Sequence, residues 1–283
     1  MAKTTYGFVQ AGNAWNHCLG NILTSIGFSQ QKEVDPCLFV KKSENKITHI
    51  LAYHVDDALI MGSGGDKIVT QISKLVPMKN LGRPTKFLGV EFKYYPGGNL
   101  KLHQRSYLNE LFERFPVDKT KQSPTASFRL NSTGEPLSPN APYREAVGGL
   151  LWAAIMTRPE IMYSVLQLAQ FSSNPKTHHW GGIEQVLMYL KGHIDLGISI
   201  KRTNDPAKLE YFAATDADWA GGEDRLSFTG NIRYWQNAII GWSCQKLKTV
   251  SLSVLESEIM GASKCARKVR WDRWLIEALT GAP

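Results

Sequence analysis

The sequence is short of everything that marks a secreted, membrane-spanning or disulfide-stapled protein. Only four of its 283 residues are cysteine, and Cys18, Cys37, Cys244 and Cys265 lie far apart, with no C-x-x-C pair and no histidine at zinc spacing. A disulfide framework and a zinc module are thereby excluded as organising principles, and four reduced core thiols are expected. Long apolar runs are missing as well. The longest, Ala146 to Met156, has eleven residues with two glycines inside it, well short of the roughly 20 that a bilayer-spanning helix needs. The opening MAKTTYGFVQAG has neither the apolar stretch nor the small-residue cleavage site of a secretory leader. An intracellular protein, cytoplasmic or nuclear and without a membrane partner, is expected. Acidic residues are also in deficit. Lysine and arginine number 33 against 25 aspartate and glutamate, a net charge of +8, so the surface should attract polyanions, nucleic acid foremost. Charge alone does not decide this, because many basic proteins bind no nucleic acid.

What is present is the composition of an ordinary folded protein, with 43% hydrophobic and 20% charged residues. At roughly 100 to 200 residues per domain the length suits about two domains. From Ala14 to Gln104 short apolar runs alternate with turn residues, and Trp15, Leu19, Ile22, Leu23 and Ile26 are spaced as one face of a helix. Strand-like Thr48 to His54 and Ala58 to Met61 flank an acidic turn, which predicts a β-hairpin. Pro116 to Pro142 carries five prolines amid Ser, Thr and Asn without apolar period, and reads as an extended connector. Three helices are expected from Tyr143 to Lys191, the second opening at Pro159 and the third burying Trp180, Ile183, Val186, Leu187 and Leu190. Strands at Leu209 to Thr215, Phe228 to Trp235 and Ile239 to Cys244 then precede a helix. Ser253 and Glu256 cap it, and Leu255, Ile259, Ala262, Ala266 and Val269 form its apolar face.

Two acidic constellations carry chemistry. Asp56 and Asp57 are adjacent carboxylates at a hairpin tip, a costly pairing that a divalent cation such as magnesium relieves. The plain alternative is a solvated Asp-Asp turn. Asp216, ending a strand, and Glu258, in the first turns of the capped helix, are types that can converge on one ion, with Asp218 and Glu256 as neighbouring candidates. The competing reading makes them a turn residue and a solvated helix residue. His178 and His179, at a helix start, read as surface packing rather than ligands. The eight tryptophans read mostly as core, although Trp219 and Trp242 lie near the acidic strand. Lys264, Arg267, Lys268, Arg270 and Arg273 either track a phosphate backbone or form a solvated face.

The segments KTTYGFVQAGNAWN, EVDPCLFV, AYHVDDALIMG, LGRPTKFLGVEF, YREAVGGLLWAAIMTRPEI, VLMYLKGHIDLGI, TDADWAGGEDRLSFTG and VSLSVLESEIMGASKCARK follow one another here. They stand in the order found in copia-type LTR retrotransposon Pol polyproteins, which the chain resembles over nearly its whole length. The resemblance implies an α+β fold: a partial reverse-transcriptase palm over residues 1–115 and a connector over 116–142. A helical thumb or connection over 143–208 follows, then the N-terminal part of a ribonuclease H-like α/β domain over 209–283. It implies Asp56 and Asp57 as the paired catalytic aspartates of the polymerase, and Gln10 as the glutamine near template and incoming nucleotide. Asp216 matches the first ribonuclease H aspartate and Glu258 its helix glutamate, all four carboxylates serving Mg2+. Lys264, Arg267 and Lys268 would meet nucleic acid. RNA, DNA, their hybrid and the remainder of Pol are the implied partners. His54 stands where many relatives have tyrosine, a change that bears on primer-end packing rather than metal binding.

In such polyproteins the first polymerase aspartate precedes the KTTYG-like segment, and further ribonuclease H carboxylates follow the position of Pro283. Glu33 and Asp35 do not substitute for the missing polymerase carboxylate, since VDPCLF has its own place in the family pattern. Two partial active sites, no activity of the chain alone and limited solubility are therefore expected. A domesticated, non-catalytic nucleic-acid-binding protein and a decayed reading frame are the alternatives.

Overall fold

The computed structural model describes residues 10–125, 130–202 and 210–281. The KTTYGFV part of the first motif and Leu209 lie outside the described residues. Two compact units are formed, residues 1–84 with 267–283, and residues 85–266. Mixed helices and antiparallel sheets make the chain α+β, as expected.

In the first unit α1 (Ala11–Ser25) leads into four strands, β1 (Phe28–Gln30), β2 (Leu38–Ser43), β3 (Lys46–His54) and β4 (Asp57–Gly62), followed by α2 (Gly65–Ser73). The apolar spacing from Trp15 to Ile26 produces α1, and Gly27, at φ +91, turns the chain out of it. The sheet is an antiparallel meander in the order β1-β2-β3-β4. Its register aligns Phe39 with Leu51, Leu51 with Ile60, and Tyr53 with Ala58. One face is thus continuously apolar, and it packs against Leu19 and Leu23 of α1 and Ile68 and Ile72 of α2. Each fully buried side chain of this kind contributes about 1.5–3 kcal/mol. Because side chains alternate along a strand, His54 and its partner Asp57 project from the other face.

The second unit opens with β5 (Lys86–Phe87), β6 (Val90–Tyr94), β7 (Leu100–His103) and α3 (Arg105–Arg114). Next come α4 (Tyr143–Met156), a 3-10 turn at Pro159–Ile161 running into α5 (Met162–Ala169), α6 (Thr177–Gly192) and β8 (Ile198–Ile200). The elements β9 (Tyr211–Asp218), β10 (Phe228–Trp235), β11 (Ala238–Lys246) and α7 (Val254–Thr280) complete the order, with α7 counted in this unit up to Ala266. Two antiparallel sheets result, β5-β6-β7-β8 and β11-β10-β9. The helices share one core that includes Leu108, Leu111, Leu150, Val165, Ile183, Val186 and Leu190. The strand β10 has the expected bounds. β9 runs to Asp218, so Asp216 lies inside the strand rather than at its end.

Several expectations are corrected. On α7, Leu255 and Ile259 are 69% and 60% exposed, and Ala262 and Ala266 are exposed as well. The buried line is Ser257, Gly261 and Cys265. A small-residue face wins because β9 and β10 approach closely: a Cβ on Gly261 would sit 3.3 Å from Thr229 Cγ2 and 3.4 Å from Thr215 Oγ1. None of the eight tryptophans is fully buried, four being exposed and four half-buried. Their rings cover apolar surface while the N–H stays polar, as where Trp180 donates to Glu184 Oε1 at 3.1 Å. No disulfide joins the four cysteines, and only Cys265 is buried. Among the described residues no helix is long and apolar enough to cross a membrane.

His179 is buried outright instead of packing on the surface. Its Nδ1 accepts from the Lys176 backbone N–H at 2.9 Å, and Nε2 lies 2.9 Å from the Asn131 carbonyl. Those bonds suit the neutral ring, Nε2 donating, and Phe171 stacks on it at 3.9 Å. Burial holds its pKa below the ordinary imidazole value, helped by His178 and Lys176 and opposed by the Asn131 bond and Glu223. The unfolded chain therefore takes up a proton that the fold refuses. Stability from this site is complete above the unfolded pKa of about 6.5 and is lost as pH falls below it. A urea midpoint that drops between pH 7.5 and 5 more in the native chain than in His179→Gln is expected; parallel pH curves would contradict it.

Candidate active site

Strands β3 and β4 are joined by Val55 and Asp56, and His54, Val55, Asp56 and Asp57 are all exposed. Val55 has φ +54, a left-handed conformation that a β-branched side chain resists. Strain of this kind costs about 1–3 kcal/mol and persists only where the surroundings hold it. One such hold is visible: the Trp15 indole Nε1 donates to the Val55 carbonyl at 2.7 Å. The two carboxylates are hard oxygen donors, and Mg2+ is commonly held by one or two carboxylates plus water and substrate phosphates. Asp56 and Asp57 therefore fit one such ion by donor chemistry. Among the described residues no group of three or more His, Cys, Asp or Glu side chains is gathered as a metal cluster.

Gln10 is exposed just before α1, its carbonyl accepting from Ala14 N at 3.0 Å. Asp35 is committed to its own turn, Oδ1 accepting from Cys37 N at 2.7 Å.

In the second unit Thr215 faces α7, as its contact with Gly261 shows. Asp216 and Asp218 accordingly share the opposite face of β9, in register with Gly230 and Phe228. Both line a cavity of about 810 Å³ whose walls include Met162, Tyr163, Ile198 and Trp242. Tyr163 Oη donates to Asp218 Oδ2 at 2.9 Å and accepts from Gln167 Nε2 at 2.8 Å. Burial, then the Asp218 bond, raises the Tyr163 pKa, so the phenol stays a donor. Half of the predicted capping box forms: Glu256 N donates to Ser253 Oγ at 3.1 Å, while the Glu256 Oε2 accepts from Leu252 N at 2.6 Å, one residue before the Ser253 N–H of the expected pattern. Among the described residues the side chains of Asp216, exposed, and Glu258, half-buried, make no hydrogen bond. Asp216 lines the cavity and Glu258 stands in the first turns of α7, and among the described residues neither belongs to a group of three or more metal-ligating side chains.

On α7, Lys264 is half-buried, while Arg267 and Lys268, three and four residues on, are exposed. Arg270 stacks on Trp274 at 4.7 Å and Arg273 pairs with Glu277 at 2.7 Å. Trp219 and Trp242 donate to the Ser251 and Ala154 carbonyls at 3.1 and 2.8 Å. Sequence reasoning missed Trp15 and Tyr163 as polar partners. Contacts 40 and 55 residues apart leave no local signal.

The family described as reverse transcriptase (RNA-dependent DNA polymerase) matches residues 1–127. The chain is 35% identical, over 99% of its length, to the retrovirus-related Pol polyprotein from transposon RE1 of Arabidopsis thaliana. It is 30% identical over 99% of its length to that from transposon TNT 1-94 of Nicotiana tabacum. The chain spans only 19% and 22% of those polyproteins. An uncharacterized mitochondrial protein of Arabidopsis thaliana is 32% identical over 78% of the chain and is itself 93% covered. No solved structure matches. A motif order, an exposed aspartate turn and these likenesses together place the chain in the copia-type family of retrovirus-related transposon Pol polyproteins.

Proposed function

We propose that this chain contributes part of an RNA-directed DNA polymerase and of its ribonuclease H within a longer Pol polyprotein. Residues 1–115 would be palm, 116–142 connector, 143–208 thumb or connection, and 209–283 the start of the ribonuclease H domain. The observation that carries this reading is the paired carboxylate of Asp56 and Asp57 on an exposed, strained turn. Mg2+, when held there, supplies positive charge for the phosphates and for the oxygen that attacks them. The protein's share is to aim both carboxylates from the β3–β4 hairpin, with Gln10 at the start of α1 for template or nucleotide. Asp216 and Glu258 are the proposed nuclease carboxylates, favoured because Tyr163 engages Asp218 and the helix cap engages Glu256.

RNA, DNA and their hybrid are the proposed ligands, supported by the +8 charge and by the exposed Arg267 and Lys268. Binding should be indifferent to sequence and steep in salt, each phosphate contact adding about −0.9 to the log-log slope on B-form DNA. Titration of the chain against labelled duplex, with Arg267→Gln and Lys268→Gln, tests it. Affinity that stays flat as salt rises would remove nucleic acid from the reading. Tight binding that persists when Asp56 and Asp57 prove dispensable in the whole polyprotein would favour a non-catalytic binding protein.

A further inference from the structure

We propose that Trp15 is a positioning residue for Asp56 and Asp57, acting through the hydrogen bond from its indole Nε1 to the Val55 carbonyl. The inference rests on the reading of this turn as a metal-holding polymerase site, and it deepens that reading by naming what aims the carboxylates. The Val55 carbonyl belongs to the peptide plane that continues into Asp56. Whatever fixes that oxygen therefore fixes the direction in which the Asp56 N–H and Cβ leave the turn, and Asp57 follows one residue on.

Three features make the bond a device rather than an incidental contact. Val55 occupies a left-handed conformation, φ +54, that its β-branched side chain disfavours. Released, its peptide plane would rotate toward an extended or right-handed conformation. The donor comes from a separate element: Trp15 sits on the first turns of α1, half-buried against the core that α1 shares with α2 and the sheet, so its N–H is held from outside the turn. At 2.7 Å the contact is at the short end for an N–H donor, across 40 residues of chain and on a turn whose Val55 is 57% exposed. Solvent alone would not choose one orientation for such a turn. Phe or Leu would fill the same space without supplying the donor.

The test uses the 283-residue chain and Mn2+ as the probe, its free concentration followed by electron paramagnetic resonance. Position 15 carries tryptophan, 3-benzothienylalanine, which keeps the bicycle but has sulfur in place of N–H, or phenylalanine; Asp57→Asn marks binding at the turn. The benzothienyl chain is expected to bind Mn2+ about five- to tenfold more weakly with an unchanged melting temperature. Its Asp56 and Asp57 amide order parameters should fall from the rigid value of about 0.85 toward 0.6. Trp15→Phe should do the same and lose some thermal stability besides. Native Mn2+ affinity and native order parameters in the benzothienyl chain would overturn the proposal and leave Trp15 a packing residue. Mn2+ binding that Asp57→Asn leaves untouched would overturn the metal reading of the turn, and the order parameters would still decide whether Trp15 holds it.

Discussion

Replacing Asp57 by asparagine should abolish magnesium-dependent primer extension on an RNA template in any Pol chain that carries these residues, a loss on the order of 10³-fold or more. The substitution keeps size and shape, and Asp57 is exposed at the start of β4, opposite His54. Folding stability should therefore move by no more than about 0.5 kcal/mol. The electrostatics change completely. An amide oxygen carries no net charge, so on the proposed reading one of the two carboxylates that would offset a divalent cation is lost where phosphate charge would build up during transfer. Asp56→Asn should behave alike, whereas Asp35→Asn, whose carboxylate bonds only the Cys37 N–H of its own turn, should leave extension intact. A tenth or more of native activity in Asp57→Asn would mean that the chemistry is held elsewhere.

Where residues speak through local periodicity, the fold was legible. The spacing from Trp15 to Ile26 yields α1, the acidic hairpin forms with its turn at Val55 and Asp56, and Ser253 caps α7 through the Glu256 N–H. Periodicity misled on α7, where Leu255 and Ile259 share a face in sequence but the sheet selects Ser257, Gly261 and Cys265. Close approach of a helix to β9 and β10 demands small residues, and hydropathy is blind to that demand. The elements α2 and α3 also escaped the reading: each is ten residues or fewer, too short for a helical period to stand out.

The candidate site divides along the same line. Asp56 and Asp57 are visible because adjacency itself is the signal. The choice between Asp216 and Asp218 is not local, since both occupy one face of β9. What separates them is Tyr163, which donates to Asp218 from another element. Glu256 and Glu258 separate for a reason that sequence does contain in part, because the side chain at the third helical position turns back to the helix entrance, here to the Leu252 N–H.

A second large effect is expected at Arg158, which lies at the foot of α4 and is fully buried. Its Nε donates to Glu160 Oε1 at 2.6 Å, and its Cζ stands 5.9 Å from the Tyr189 ring centre. Its Nη1 and Nη2 meet no acceptor among the described residues. A guanidinium removed from water and only partly compensated is an expensive group, and Glu160, with a third of its side chain exposed, is the carboxylate that offsets it. Removing the carboxylate leaves the cation uncompensated, which for a buried pair costs about 3–5 kcal/mol. Glu160→Ala should fall toward the lower end of that range, because solvent reaches the partner side. Arg158→Met should behave in the opposite way. It removes the buried charge, fills most of the same volume with apolar atoms, and frees Glu160 to face water, so stability should be unchanged or higher. Urea unfolding of both variants and of the double variant checks the asymmetry. If the charge is the liability, Arg158→Met must rescue most of the Glu160→Ala loss. A double variant as unstable as Glu160→Ala alone would show that Glu160 acts through something other than Arg158.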